Sequence, residues 1–501
     1  MANPDKIISI DISSKIVKVG IISDKLELES VSTQEYKIID EDIHGFVKKL
    51  NMDEIWNKIK ICIKNVLKEN KPEKIIGISS CGQRIATVFL DSKGNEIYGG
   101  PNTDMRGIDS AYLIEDKFTE EKLFNITAHS PSLMFTLARL LWFQEEQEDQ
   151  YNNINKILML DDWIGYRLTG MFYTDYTSIG ESQLFDVKKK KWSKEIIEAF
   201  NINSEILPKI IDPGTIIGDL KSDLMKEFGL NQKEIPVVKG CGDTQANLLG
   251  MGAIEQNNIG ISLGTTAPVH LVVNKPLIDP NLNFWTECHA VKDKWLIEAN
   301  AGGTGRAYDW FKEAFILESQ GDKNKIIDHY LSKGKPGAGA TYAYLGPELM
   351  AVKDQTSIKR GIFIFQPPSM IGEELPRLEH FTQSIIEGIC FAILENFQAL
   401  QYFTQSENIT FCAGGMSKSE EFCKILTNIL KTEIKVPNVK DSAYIGNAIN
   451  TLVGLNLYPD YKSIINEIIK YKTFEVDPTI AEKYNSIFIK WKNFKKKVDD
   501  L

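Results

Sequence analysis

No two cysteines of this 501-residue chain have Cys-x-x-Cys spacing, and their number, seven, is odd. Cys62, Cys81, Cys241, Cys288, Cys390, Cys412 and Cys423 sit mostly in apolar stretches. That excludes a disulfide frame or a zinc ribbon and fits reduced, buried thiols of a cytoplasmic protein. No apolar run approaches the about 20 residues that span a bilayer. The polar start, Met1 to Lys6, leads straight into a strand pattern, so no signal peptide is expected. Excess basic charge is missing too. A net charge of −10 argues against a nucleic-acid partner, which calls for a basic stripe. The lysine runs Lys188–Lys191 and Lys495–Lys497 read as solvated faces. Low-complexity segments and long linkers are absent. The expectation is a soluble protein with neither a membrane nor a nucleic acid as partner.

What is present is ordinary globular composition, 43% apolar and 25% charged. At about 100–200 residues per domain, the length implies two or more domains. Strand-like and helix-like segments alternate, the α/β pattern. Ile7–Ile10 and Val17–Ile22 read as strands, Ile55–Glu69 as a helix, Lys74–Ser79 and Ala86–Leu90 as strands, and Asp91–Gly94 as a turn. Leu133–Gln147 and Leu158–Thr169 read as helices, and Pro236–Lys239 as a strand before a glycine turn, Gly240–Gly242. The opening pattern then recurs: Ile259–Leu263, the turn Gly264-Thr265-Thr266, and a second strand at Val269. Two related halves would look like this, with a boundary near Gly250-Met251-Gly252; two unrelated hairpins would also fit. Ile409–Cys412 reads as a strand leading through Gly414-Gly415 into a helix from Ser419 to Leu430. Ser384–Phe403 and Ala443–Leu455 read as amphipathic helices.

Several of these places could carry chemistry. The turns at Ser13-Ser14 and at Gly264-Thr265-Thr266 offer small residues that a triphosphate can approach, and the Gly414-Gly415 turn before a helix suits phosphate or nucleotide. Asp11, at a strand end, suits Mg²⁺ as a hard oxygen ligand or serves as a turn cap. Asp243, after Gly242, reads either as a helix N-cap or as a reactive carboxylate beside a glycine that lets a ligand approach. Gln83, Arg84, Asn102, Asp104 and Arg106 could hydrogen-bond the hydroxyls of a polyol, or could form a surface ion-pair cluster. His289 reads as a core or interface histidine.

Taken in order, these segments resemble the FGGY carbohydrate kinases of the actin-like ATPase fold. The resemblance rests on the Asp11 hairpin, Gly82-Gln83, Asp91, Asn102–Arg106, Tyr166–Gly170 with Thr174-Asp175-Tyr176, Lys239–Gln245, Ile261–Thr266, Gly302–Trp310, Gly414–Ser419 and Ala443–Ala448. It implies an α/β fold of two actin-like (ribonuclease H-like) ATPase domains with a cleft between them. Residues 1–248 would carry the sugar-binding side and the base, and residues 249–501 the nucleotide side. It implies ATP and Mg²⁺, with Asp243 as general base and Asp11 as the metal-side carboxylate. Ser13, Ser14, Lys18, Gly264, Thr265 and Thr266 would face the phosphates. Gly305, Asp309, Gly414, Gly415 and Ser419 would face the adenosine, and Gln83, Arg84, Asp104 and Thr244 the sugar. A homodimer is a family-level expectation. The implied reaction is phosphorylation of a ketose such as xylulose, or of a related polyol. Glycerol, gluconate and an autoinducer-2-like molecule are alternative substrates, and an actin-like ATPase or a catalytically silent sugar sensor are alternative functions.

The chain also departs from the family pattern. Asp11-Ile12-Ser13-Ser14 lacks the usual turn glycine, so the turn must avoid positive φ or accept strain. Gln83-Arg84-Ile85 matches neither the Gln-Arg-Glu of the glycerol-kinase branch nor the Gln-Met-His-Gly of the xylulokinase branch. Asn102 replaces an aromatic. The Asn-x-Asp-x-Arg run is similar to that of the autoinducer-2 kinase branch.

Overall fold

The computed structural model describes residues 5–317, 321–350, 360–367, 375–404 and 406–498. The sequence reading of Met1 to Pro4 lies outside them. The chain packs as two compact units. The first comprises Met1–Ile254, Val273–Leu296 and Val439–Ile469; the second comprises Glu255–Val272, Ile297–Asn438 and Lys470–Leu501.

In the first unit, β1 (Lys6–Ile12), β2 (Ile16–Ser23), β3 (Leu28–Glu35), β4 (Ile75–Gly82), β5 (Ile216–Asp219) and β6 (Pro236–Gly242) form one sheet in the order β5-β6-β4-β1-β2-β3. β1 is antiparallel to β2 and parallel to β4, and β4 is parallel to β6. β1 and β4 are buried along their whole length, which is why Ile7–Ile10 and Ile75–Gly82 read as unbroken apolar or small-residue runs. The helix α1 (Met52–Asn70) starts at Asn51, whose side chain accepts the Glu54 N–H at 3.0 Å. Its Ile55, Ile59, Cys62, Ile63 and Val66 form one stripe packed on the sheet with Ile8, Ile10 and Val19.

Two further helices position the site: α2 (Leu160–Thr169) and α3 (Asp243–Met251). The sequence reading joined Leu158 to α2, but Lys156–Met159 is a strand paired with Thr87–Leu90, and the helix begins only at Leu160. Gly240, Cys241 and Gly242 also differ from expectation. They continue β6 rather than turn, because Cys241 and Gly242 pair with Cys81 and Gly82. Gly250 and Met251 are the last residues of α3, and Gly252 caps it with a φ of 84°. The helix Ser442–Gly454 lies against α3 and β1, which brings Val439–Ile469 into the first unit instead of the C-terminal half. A Cβ added at Gly446 of that helix would sit 1.8 Å from the Ala246 carbonyl oxygen, so the two backbones touch where only glycine fits.

In the second unit, β7 (Asn258–Leu263), β8 (Pro268–Val273), β9 (Trp295–Asn300), β10 (Ile409–Gly414), β11 (Ile434–Pro437) and β12 (Tyr471–Phe474) run in the order β9-β8-β7-β10-β11-β12. β7 is antiparallel to β8 and parallel to β10, and β12 is antiparallel to β11. The first unit repeats this plan: a central strand, an antiparallel neighbour on one side, a parallel neighbour on the other, and an antiparallel edge strand beyond, β5 on β6. The recurrence of hairpins in the sequence is therefore a duplicated sheet. Its helices include α4 (Thr304–Phe315), α5 (Leu378–Gln401) and α6 (Glu420–Leu430). α5 was expected to be amphipathic, but from Thr382 to Leu394 every residue is buried, the pattern of a helix through the middle of a core.

Candidate active site

The register of three parallel strands assembles the first unit's site. Asp11 of β1 pairs with Cys81 of β4, which pairs with Cys241 of β6; Ile12, Gly82 and Gly242 form the next row. Asp11, Gln83-Arg84 and Asp243 thus emerge together at the carboxyl edge of the sheet, where open α/β sheets place their ligands.

Asp243 is the first residue of α3, one place after its N-cap, Gly242. Its Oδ1 accepts the Thr244 N–H at 2.8 Å and lies 3.8 Å from Arg84 Nε. About a third of the side chain is open to solvent (36%). Burial of the surrounding site pushes its carboxyl up to about 6; the Arg84 charge opposes this and the Asp11 carboxylate adds to it.

Asp11 is buried, and its carboxyl is raised by that burial although Lys18 works against the shift. Lys18 Nζ lies 3.4 Å from Asp11 and 3.8 Å from Asp441. Cys81 Sγ lies 3.7 Å from Asp11 Oδ1. Ser13 accepts a hydrogen bond on its carbonyl from Tyr36 OH at 2.6 Å, and Gln83 Nε2 donates to the same hydroxyl at 3.1 Å. Gln83, expected on the sugar, therefore ties the β4 end to the first turn. That turn holds Ser13 and Ser14 with no positive φ among residues 11–16, so the missing glycine leaves no left-handed residue behind.

Arg84 leaves β4 into a tight arrangement. Its Nη1 donates to Glu181 Oε1 at 2.6 Å and to Glu287 Oε1 at 2.5 Å, and Gln245 Nε2 donates to Glu287 Oε2 at 2.9 Å. Ile85, the next residue, has a φ of 70°, an outlier for a β-branched side chain. The buried Arg139 guanidinium holds this bend by donating to the carbonyls of Ile85 at 3.0 Å, Pro101 at 2.8 Å and Asp104 at 3.2 Å.

Asp104 was expected on the sugar; the structure places it in a closed structural cluster. It is fully buried, accepts the Lys48 N–H at 2.8 Å and the Arg106 Nε–H at 2.6 Å, and takes a short hydrogen bond from Tyr98 OH. The Arg106 guanidinium stacks 4.4 Å from the Tyr98 ring and 5.0 Å from Trp142. His289 is buried as read, its Nε2 3.0 Å from the Ala253 carbonyl oxygen.

The sequence reading missed a buried lysine. Lys239 Nζ lies 2.5 Å from Asp161, 2.7 Å from Asp175 and 3.0 Å from Asp162. Burial, opposed by Lys239 and helped by Asp161, raises the Asp162 carboxyl to about 8. Asp175 accepts from Thr177 N at 2.7 Å, and Thr177 Oγ1 in turn accepts the Gly242 N–H at 3.0 Å. The residue before Asp243 is thus pinned through Thr177 to Asp175 and Lys239. The Thr174-Asp175-Tyr176 stretch and the Lys239–Gln245 segment were the sequence signals near this support.

In the second unit, Leu263 at the end of β7 pairs with Gly414 at the end of β10, so the Gly264-Thr265-Thr266 turn and Gly414-Gly415 leave adjacent strand ends, and all five residues are exposed. Gly305 in the first turn of α4 donates to the Thr265 carbonyl at 3.1 Å, and a Cβ there would meet the Gly264 oxygen at 2.1 Å. Two expected nucleotide residues have other partners: Asp309 pairs with Lys312 at 2.7 Å, and Ser419 caps α6 by accepting the Phe422 N–H at 3.1 Å.

Comparison with known proteins agrees with this geometry. The model of the FGGY carbohydrate kinases' N-terminal domain matches residues 6–250, and that of their C-terminal domain matches residues 259–455. The Bacillus subtilis protein YoaC, named as a sugar kinase, is 27% identical over 428 residues, covering 85% of each chain. The autoinducer-2 kinase of Salmonella choleraesuis is 24% identical over 460 residues, covering 86% of this chain and 84% of that one. The crystal structure of ligand-bound xylulose kinase from Lactobacillus acidophilus superposes with a TM-score of 0.86 at 18% identity, covering 99% of this chain and 98% of the other, so the two share the fold. With both domain models matched in order along one chain, this protein belongs to the FGGY family of carbohydrate kinases, enzymes of the two-domain actin-like ATPase fold.

Proposed function

We propose that the protein transfers the γ-phosphoryl group of ATP to a hydroxyl of a small ketose such as xylulose, or of a related polyol, with Asp243 as the general base. The observation that carries this reading is the common edge of β1, β4 and β6, which gathers Asp11, Arg84 and Asp243. With a carboxyl at about 6, Asp243 is ionised at neutral pH and is still basic enough to take a hydroxyl proton. The acceptor oxygen bonds to the γ-phosphorus, the bond to the ADP oxygen breaks, and the hydroxyl proton passes to Asp243 Oδ. The first unit carries the acceptor, with Arg84 and Thr244 at its side. The second unit carries the nucleotide-facing turns at Thr265, Thr266, Gly414 and Gly415.

The residues suit a divalent cation. Asp11 is a hard-oxygen donor whose ionised form burial and Asp441 both disfavour, so a cation beside it relieves that cost. Bound there, Mg²⁺ would supply neutralisation of phosphate charge. Lys18, fixed between Asp11 and Asp441, orients the Asp11 carboxylate. A panel of ketoses, polyols, aldoses and gluconate, read by ADP release, tests the proposal. Acceptor-dependent release is expected; its absence with every acceptor would contradict the reading.

A further inference from the structure

Among the described residues the Asp243 carboxylate accepts one hydrogen bond, from the Thr244 N–H at 2.8 Å, while Arg84 Nε stands off at 3.8 Å. About a third of the side chain is open to solvent, so the backbone that carries it decides where it points. That backbone has no side-chain cap, because the N-cap of α3 is Gly242. It has an anchor instead: the Gly242 N–H donates to Thr177 Oγ1 at 3.0 Å, a buried bond outside both the sheet ladder and the helix.

The anchor leads into a rigid cluster. The Thr177 hydroxyl donates to Asp175 Oδ1 at 2.5 Å, and the Thr177 N–H donates to the same oxygen at 2.7 Å. Asp175 Oδ2 faces Lys239 Nζ at 2.7 Å and accepts from Ser178 Oγ at 2.7 Å. Lys239 and Ser178 also converge on Asp161 Oδ2, at 2.5 and 2.8 Å. Thr177, Asp175, Lys239, Ser178 and Asp161 are all buried. Lys239 lies three residues before Gly242 on β6, and the pairing of β6 with β4 shifts register between Val238 and Cys241. The strand is therefore gripped on both sides of its irregular stretch, by the Lys239 side chain and by the Gly242 N–H.

We propose that Thr177 is a positioning residue for phosphoryl transfer: its hydroxyl ties the Gly242 N–H to the Asp175–Lys239 cluster and so fixes the direction in which the Asp243 carboxylate leaves the sheet. The inference rests on Asp243 as the base and adds the residue that aims it. A hydroxyl suits the place because it gives one proton, to Asp175, and accepts another, from Gly242. Serine can do both, and valine, of the same shape as threonine, can do neither. Misplacing a reacting group by about 1 Å can cost on the order of 10²-fold in rate.

The test uses Thr177→Val and Thr177→Ser, shown to be folded by circular dichroism, with the best acceptor of the panel. Thr177→Val should lower kcat at least ~10-fold with the acceptor KM within about threefold, and Thr177→Ser should keep kcat within about threefold of the wild type. The deciding step repeats Thr177→Val in an Asp243→Asn background, read by single turnover. With the base gone there is nothing to aim, so the added cost should shrink below about threefold. The same loss in both backgrounds would show a general loosening and overturns the proposal. Thr177→Val at wild-type turnover, or Thr177→Ser as slow as Thr177→Val, overturns it too. If Thr177→Val does not fold, Thr177→Cys, a weak donor and weak acceptor, takes its place with the same expectations. If neither folds, hydrogen exchange at the Gly242 amide of the wild type decides: strong protection is expected, and exchange as fast as in an unstructured peptide overturns the anchor. Wild-type turnover by Asp243→Asn, or no turnover with any acceptor, removes the base and this inference with it, whereas a slow Asp243→Asn beside a normal Thr177→Val removes this inference alone.

Discussion

Arg84 Nε stands 3.8 Å from Asp243 Oδ1 while the Nη1 of the same guanidinium is bound to Glu181 and Glu287. Arg84 is thus placed to tune the Asp243 carboxyl rather than to neutralise it. Its charge pulls the Asp243 carboxyl down, against burial and Asp11, and the balance settles at about 6.

The pH profile should follow from that value. A base must be ionised to act, so kcat/KM should rise through pH about 6 and level off above it. Arg84→Gln removes the lowering charge and should move this acid limb to higher pH. A limb that stays in place, or moves down, would contradict the coupling. Stability carries the opposite sign: a carboxyl raised in the folded state binds its proton more tightly than in the unfolded chain. The fold should therefore lose stability as pH rises through about 6, and Asp243→Asn should flatten that dependence.

Lys239 and its carboxylates give a paired prediction. Lys239→Met strands buried charges and should cost about 3–5 kcal/mol in denaturant unfolding. Burial raises the Asp162 carboxyl against the pull of Lys239, so its charge is the less needed partner and Asp162→Asn should cost less than Lys239→Met. Equal costs would contradict this division of charge.

Gly446→Ala places a methyl 1.8 Å from the Ala246 carbonyl and must separate the helix Ser442–Gly454 from α3, the helix that begins at Asp243. A loss of at least ~3 kcal/mol is expected, the upper end for overpacking. An unchanged Tm would contradict the contact.

Much of the fold was legible in the sequence. The hairpins at Ile7–Ile22 and Ile259–Val269 announce themselves by apolar runs around small turn residues, and their duplication is the duplicated sheet. Leu158-Met159-Leu160 was misread because a short apolar run looks the same in a buried strand and in a buried helix. In the candidate site, Asp11 drew attention as a carboxylate near the end of an apolar strand, and Arg84 and Asp243 because each comes just after one. Glu181, Glu287 and Arg139 were not: Arg84 finds its two glutamates 97 and 203 residues away, and no local pattern marks such a pair. Asp104 misled for the complementary reason. A polar run at a strand end looks like a ligand site until Lys48, Tyr98 and Arg106 are seen closing around it.

The most direct test of the central claim is single-turnover and steady-state phosphoryl transfer by Asp243→Asn with the best acceptor from the panel. The asparagine keeps the size and the hydrogen bond from Thr244 but cannot take the proton. The account predicts a fall in kcat of at least ~10²-fold with acceptor affinity largely kept. Turnover within a few-fold of the wild type would remove Asp243 from the role of base.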